Sequence, residues 1–446
     1  MRASALLLCF LVQQQRQLCS GGGSSSASPP APRSAGGPNN VLRGRYVSVE
    51  IAPVECVATN YGARGDGKTD DTKAIQAAFD HCGLAGGGTI VLPAPHTYLI
   101  YSVHFTASNQ ELRIEEGATL LGSDNIKAWK DGKVGSALIV APKKLPSFPT
   151  GLQHIAITGG GTVDGQGLLF WRGRVKNVFR PHTVDFSHVE YGLISGPTFT
   201  RNPNHVLELG CDHCELSHIK VLNPPSTGSC EKDLTCSHNT DAVDVHGTPF
   251  YIHNVNFTTG DDNVAVHAND TLVEDSYMGT GHGVSIGSMC QESITNLTVR
   301  NVSFHGTTAA CKVKAHPTDS KTKHTCAGHV WGVTYENLTM KDVQLPIDLE
   351  QFYDVKSSKL PSSKVFYERI TYRNIHSVGG GDKHGKVVSF TCDNHYDGEN
   401  NCASLAFENV VFTGLGSASK KAGMLCEHAK GSATGLVGIN NCLGSK

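Results

Sequence analysis

Val243/Val245, Val264/Val266 and Val284/Ile286 recur along the middle of the chain at spacings of 21 and then 20 residues. A second series runs beside them: "NVNF" (254–257), "DSYM" (275–278), "NVSF" (301–304), "NLTM" (337–340) and "NVVF" (409–412). Its first gaps are 21 and 26 residues, and they widen where Cys- and Lys-rich insertions intervene. A period in the low twenties, with one set of short strands per repeat, is the mark of a β-solenoid. Each repeat is one coil, its valines stack inward, and equivalent positions of successive coils lie about 4.8 Å apart. A leucine-rich repeat array would carry L-x-x-L-x-L, which is missing. A β-sandwich would not predict so constant a period. The expected fold is therefore all-β, a parallel β-helix.

One helix is predicted. "DDTKAIQAAFDHC" (70–82) has Asp70 as N-cap and an apolar stripe of Ile75, Ala78, Phe79 and Cys82. Such a helix would cap the N-terminal end of the coil, where open strand edges invite aggregation. Ahead of it, Arg2 and the apolar run Ala3–Val12 predict a secretory signal over residues 1–20. The Ser/Gly/Pro-rich stretch within 21–45 predicts a disordered linker, and residues 46–446 a single β-helical domain. The 15 cysteines agree with export. The pairs closest in sequence are Cys56/Cys82, Cys230/Cys236, Cys311/Cys326, Cys392/Cys402 and Cys426/Cys442, with Cys290 as the candidate free thiol. Five N-x-S/T sequons, at Asn256, Asn269, Asn296, Asn301 and Asn337, suit the same path.

A net charge of −2 gives no global basic field for nucleic acid, and no apolar run beyond the first dozen residues is long enough to span a membrane. The 22 His charge as the pH falls below about 6.5, which favours an anionic partner in acid.

The repeat gives the polar residues a place. Two positions before the first apolar residue of each valine pair stand Asp241, Asp262 and His282, a ladder on one face, with Asp261 beside it. "ACKVKA" (310–315) alternates, so Lys312 and Lys314 share a side and join that face if the strand stacks in register. Any of these alone reads as a solvated turn or a charged strand face. Independent surface turns would not fall into phase, so together they point to a site. Asp241 poses a difficulty: in an ideal strand it shares the inward face of Val243. Gly260, Gly281 and Gly283 supply bends for the other two coils, and no glycine does so for Asp241. "CDHC" (211–214), with His205 and His218 nearby, reads as a disulfide or thiols, with a zinc site as the alternative.

"NTD" (239–241), "GDD" (260–262), "GHG" (281–283) and "KVK" (312–314) resemble, in order and spacing, the four motifs of the polygalacturonases. "NYGARGDGKTDDTKAIQAA", "GGGTVDGQG" (159–167) and "RPHTVDF" (180–186) extend the resemblance across residues 56–412, with the GDD–GHG stretch most like bacterial-type endo-acting members. The resemblance implies a right-handed parallel β-helix that hydrolyses α-1,4-galacturonosyl bonds of pectin with inversion. It is expected to be secreted and monomeric, without cofactor or metal. It implies Asp261 as general acid and Asp241 and Asp262 as the groups that orient and deprotonate water. His282 would help hold Asp261 protonated. Lys312, Lys314, Tyr353 and Asn239 would contact substrate. The family pattern has Arg-x-Lys where this chain has Lys312-x-Lys314, which keeps the charge and loses a planar two-pronged contact. A calcium-dependent pectate lyase and a non-catalytic polysaccharide-binding β-helix are the rival readings.

Overall fold

The computed structural model describes residues 33–34, 40–129, 134–173, 178–226, 236–318, 326–355, 362–394, 401–416 and 423–444. The expected signal peptide and most of the expected linker lie outside them. Within that linker, Asn40–Arg43 pairs antiparallel with Ser48–Ile51.

Among the described residues 30 strands join into one sheet, and almost all of them pair in parallel with the strand one coil away. The chain is an all-β parallel β-helix, as the repeat predicts. The valine register holds: Val264, Val284, Cys311, Ile347, Val388 and Met424 are successive partners in one column. Val245, Val266, Ile286, Val313, Leu349 and Phe390 form the next inward column. Side chains along a strand alternate faces, so the residues between these columns point outward.

The second sequence series marks bends. Asn254, Asp275, Asn301, Asn337 and Asn409 all have left-handed backbone, with φ between 49 and 56°. Asn and Asp tolerate that region better than other side chains. Their amides stack from coil to coil, Asn337 on Asn301 at 3.3 Å, Asn374 on Asn337 at 3.1 Å and Asn409 on Asn374 at 3.0 Å. Asn374, in "RNIHS", is a rung that the sequence pattern did not reveal.

The helix spans Thr72–Leu84 and buries Ile75, Ala78, Phe79 and Cys82, the predicted stripe. Its N-cap position is Asp71, not Asp70. Asp71 is turned back to accept the backbone N–H groups of Arg64 and Gly65 at 2.7 and 3.0 Å. Asp70 accepts the N–H of Thr72 at 3.0 Å instead. Among the described residues no helix is long and apolar enough to cross a membrane.

Cys56–Cys82, Cys392–Cys402 and Cys426–Cys442 are disulfides as expected. Cys236 is also disulfide-bonded, and its expected partner Cys230 lies outside the described residues. The pairing Cys311/Cys326 is overturned: Cys326 bonds Cys290, and among the described residues Cys311 is the free thiol, not Cys290. Cys311 occupies the inward column between Val284 and Ile347, in the core. Cys290 directly follows its strand, and its Cα lies 4.4 Å from that of Cys326. Cys211 and Cys214 are bonded to each other, which takes both sulfurs away from the zinc alternative.

Candidate active site

The strands Val243–Gly247, Val264–Ala268 and Val284–Met289 stack in register, so Asp241, Asp262 and His282 form the expected ladder just ahead of them. The bend missing for Asp241 comes from Asn239, whose φ is 52°. Gly283 has a φ of 81°, and a Cβ there would run into the backbone of Ala309 and Ala310. Gly260 is not left-handed; it permits a close approach to Ser237 instead. Buried Asn263 fixes the turn that carries His282. Its Oδ1 accepts Gly283 N–H at 2.8 Å, and its Nδ2 donates to Phe257 O at 3.0 Å. Inside the coil, Thr183, Asn202, Asn223 and Thr259 link one rung to the next at 2.8, 3.1 and 3.3 Å. These buried polar groups satisfy one another and make the floor of the site rigid.

The three carboxylates differ in environment. Asp262 is almost fully buried and receives Lys314 Nζ at 2.8 Å. Burial opposes the charge on Lys314, but Asp262 raises its pKa above the ordinary range. Asp261 is the most exposed of the three, at 18% of its side chain. Its Oδ1 lies 2.9 Å from His282 Nδ1, and its Oδ2 accepts Asn239 N–H at 3.2 Å. Burial opposes ionisation of Asp261. His282, Lys314 and the Asn239 amide outweigh it and bring the group down to about 2. Asp241 is driven the other way. Burial, then the charges of Asp261 and Asp244, hold its pKa well above the carboxylate range.

This field differs from the expected role of His282. A donor facing a carboxylate stabilises its ionised form. His282 therefore favours the anion of Asp261 in the free site, while burial and the neighbouring acids favour the neutral form of Asp241.

On the strand Ala309–Ala315, Cys311, Val313 and Ala315 are fully buried and the two lysines point outward, as the alternation predicts. Lys312 Nζ lies 3.6 Å from Asp348 Oδ2. Burial raises Asp348 to about 6 although Lys312 opposes it. The Tyr353 ring sits beneath both ammonium groups, 5.7 Å from Lys312 Nζ and 5.2 Å from Lys314 Nζ. Its backbone N–H is tied to Ala315 O at 3.0 Å. Asn239 does more than the sequence suggested. Its Oδ1 accepts Arg180 Nη2 at 3.0 Å while its N–H holds Asp261. Arg180, in "RPHTVDF", also donates to His238 O at 2.6 Å, so it braces the turn that aims Asp261. Among the described residues three donor sets have the spacing to hold a cation, Asp261/Asp262/His282, His205/Asp241/Asp244 and His182/His205/Glu208.

A buried carboxyl that resists ionisation, a more exposed one beside it that favours its anion and two lysines along one face suit acid–base cleavage of a bond in an anionic polymer. The family model for glycosyl hydrolases family 28 matches residues 109–434. An exopolygalacturonase of Zea mays is 26% identical over 395 residues, covering 85% of this chain and 88% of the relative. The fold is similar to that of the exopolygalacturonase of Thermotoga maritima, with a TM-score of 0.70 and 18% identity over 87% of this chain and 92% of that one. It is also similar to that of the endo-xylogalacturonan hydrolase of Aspergillus tubingensis, with a TM-score of 0.65 and 21% identity over 85% of this chain and 98% of that one.

Proposed function

The chain belongs to glycosyl hydrolases family 28, and we propose that it hydrolyses the α-1,4-galacturonosyl bonds of polygalacturonate with inversion. The observation that carries this is the convergence of Asp241, Asp261, Asp262 and His282 with Lys312, Lys314 and Tyr353 on one face of the coil. Asp261, the most exposed carboxylate, protonates the glycosidic oxygen. Asp241 and Asp262 orient the attacking water and take its proton. Lys312 and Lys314 bind galacturonate carboxylates, and Tyr353 packs beneath them.

The carboxylates titrate as one coupled group. Substrate brings a further negative charge and displaces water, and both raise the pKa of a neighbouring acid. The proton that rests on Asp241 in the free site passes to Asp261 as substrate binds. Hydrolysis then returns it: Asp261 gives its proton to the leaving oxygen, water attacks the anomeric carbon, and Asp241 receives the proton that water loses.

The disulfides and the apolar run near the N-terminus support action outside the cell, and the family resemblance supports a monomer. Internal attack is supported by the likeness of the GDD–GHG stretch to endo-acting members. Terminal attack is favoured by the names of the maize and Thermotoga exopolygalacturonases. Incubation with polygalacturonate, with and without chelator, tests the proposal. New reducing ends without ultraviolet absorbance, unaffected by chelator, are expected. Absorbance that needs calcium would mean a lyase, and no new ends at any acidic pH would sink the enzyme reading. Product lengths separate internal from terminal attack. Asp261→Asn is expected to abolish turnover with the fold intact; retained turnover overturns the acid assignment.

A further inference from the structure

The ladder does not stop at Asp241. Leu207 pairs with Val243, and Val184 with Leu207, so the positions two residues earlier are His205 and His182. The full series is His182, His205, Asp241, Asp262 and His282, and the three-carboxylate site has a histidine on each side.

His205 is enclosed by acids. Its Nδ1 lies 2.9 Å from Glu208 Oε2 and 3.2 Å from Asp244 Oδ2. Its Nε2 lies 3.5 Å from Asp241 Oδ1. Both ring nitrogens face carboxylates, and only the imidazolium has an N–H on each. Asp241 Oδ1 and Asp244 Oδ2 are buried, and the His205 ring is the basic group beside both. The remaining neighbours do not compete for that role. The His182 ring meets His205 edge to face at 5.1 Å and is brought down to about 4 by burial. Arg180 is turned to His238 and Asn239. His246 shares Glu208 from the far side at 3.3 Å. Burial opposes the charge on His205, but Asp244, Glu208 and Asp241 together raise it to about 11.

Each carboxylate of the site thus has its own basic partner. Asp262 has Lys314, Asp261 has His282 and Asp241 has His205. We propose that His205 is a positioning residue of the reaction, the cation beside Asp241 that stabilises its carboxylate once substrate has moved the proton to Asp261, and so readies it to accept one from water. This rests on the hydrolase reading above. The step balances internally: the proton leaves one carboxyl oxygen and arrives on another, and the imidazolium keeps both of its own.

The test uses the whole protein, with kcat and KM on polygalacturonate measured across pH for wild type, His205→Gln and Glu208→Gln. Without the cation Asp241 holds its proton to higher pH, so the acid limb of kcat should move upward by about one unit or more, as loss of an adjacent opposite charge implies. KM should change less than twofold. Glu208→Gln, at a partly buried position outside the catalytic group, should move the limb the same way by less. A purely structural role predicts a lower melting temperature with the limb in place, and that result overturns the proposal. The resting protein supplies a readout that needs no turnover. In a nitrogen-labelled sample the ring that disappears in His205→Gln should remain doubly protonated at about pH 8. A ring that loses its proton near the ordinary histidine value overturns the inference even if the enzyme is active. Wild type that cleaves nothing overturns the hydrolase reading and the role in it, and the ring signal distinguishes that failure from loss of the ion pair.

Discussion

Lys312 is the residue at which this chain departs from the pattern it resembles, and its surroundings make the departure testable. Its ammonium has Asp348 at 3.6 Å and the Tyr353 face beneath it, so it is held within the site as a point charge. A guanidinium would reach a galacturonate carboxylate with two parallel N–H donors. Lys312→Arg is expected to lower KM for polygalacturonate by about tenfold, equivalent to about 1.4 kcal/mol, with kcat little changed. An unchanged KM would mean that the lysine carries no cost.

Among the elements, the segment before the first coil is held by two buried acids. Glu215 accepts the backbone N–H groups of Arg45, Tyr46 and Val47 at 2.5, 2.7 and 2.9 Å, and lies 2.9 Å from His253 Nε2. Glu274 receives Arg300 at 2.7 Å and the Tyr46 hydroxyl at 3.0 Å. Glu215→Gln should cost about 2 kcal/mol, since charged acceptors make the stronger bonds, and expose the segment around residue 45 to protease. The pH dependence has two sides. Burial opposes Glu215 ionisation, but His253 and the amides lower its pKa below 4.5, so its contribution is complete above that value and fades as pH falls through the folded pKa. Glu215 raises His253 above 6.5, so that contribution is complete below 6.5 and fades as pH rises through the folded pKa. Protease nicking at this segment should therefore be slowest between about pH 4.5 and 6.5 and faster on either side; a rate that stays flat from about pH 3 to about pH 9 would refute the clasp.

Across the whole molecule, charge is nearly balanced at neutral pH, with 22 histidines in reserve. A chain of this composition becomes cationic as it is acidified, and a polyanionic substrate should feel the change. KM for polygalacturonate is expected to rise with added salt, more steeply at about pH 5 than at about pH 7. Equal slopes would leave the two lysines as the whole of the electrostatic attraction.

The β-helix was legible because neighbouring coils demand the same residue class at the same register, and that demand prints a period on the chain. The ladder of Asp241, Asp262 and His282 was legible for the same reason, as was the outward turn of Lys312 and Lys314. Where insertions change a coil's length the period fails. From 205 to 241 is 36 residues, so His205 has no visible relation to the ladder it joins. Cys311 and Cys326 looked paired because they are close in sequence, yet the register carries Cys311 into the core. The protonation of the acids lay furthest from reach. Burial, and partners such as Lys314 brought in from more than fifty residues away, set which carboxyl resists ionisation. Periodicity records which face a residue takes, whereas a pKa depends on the distances between groups that only folding brings together.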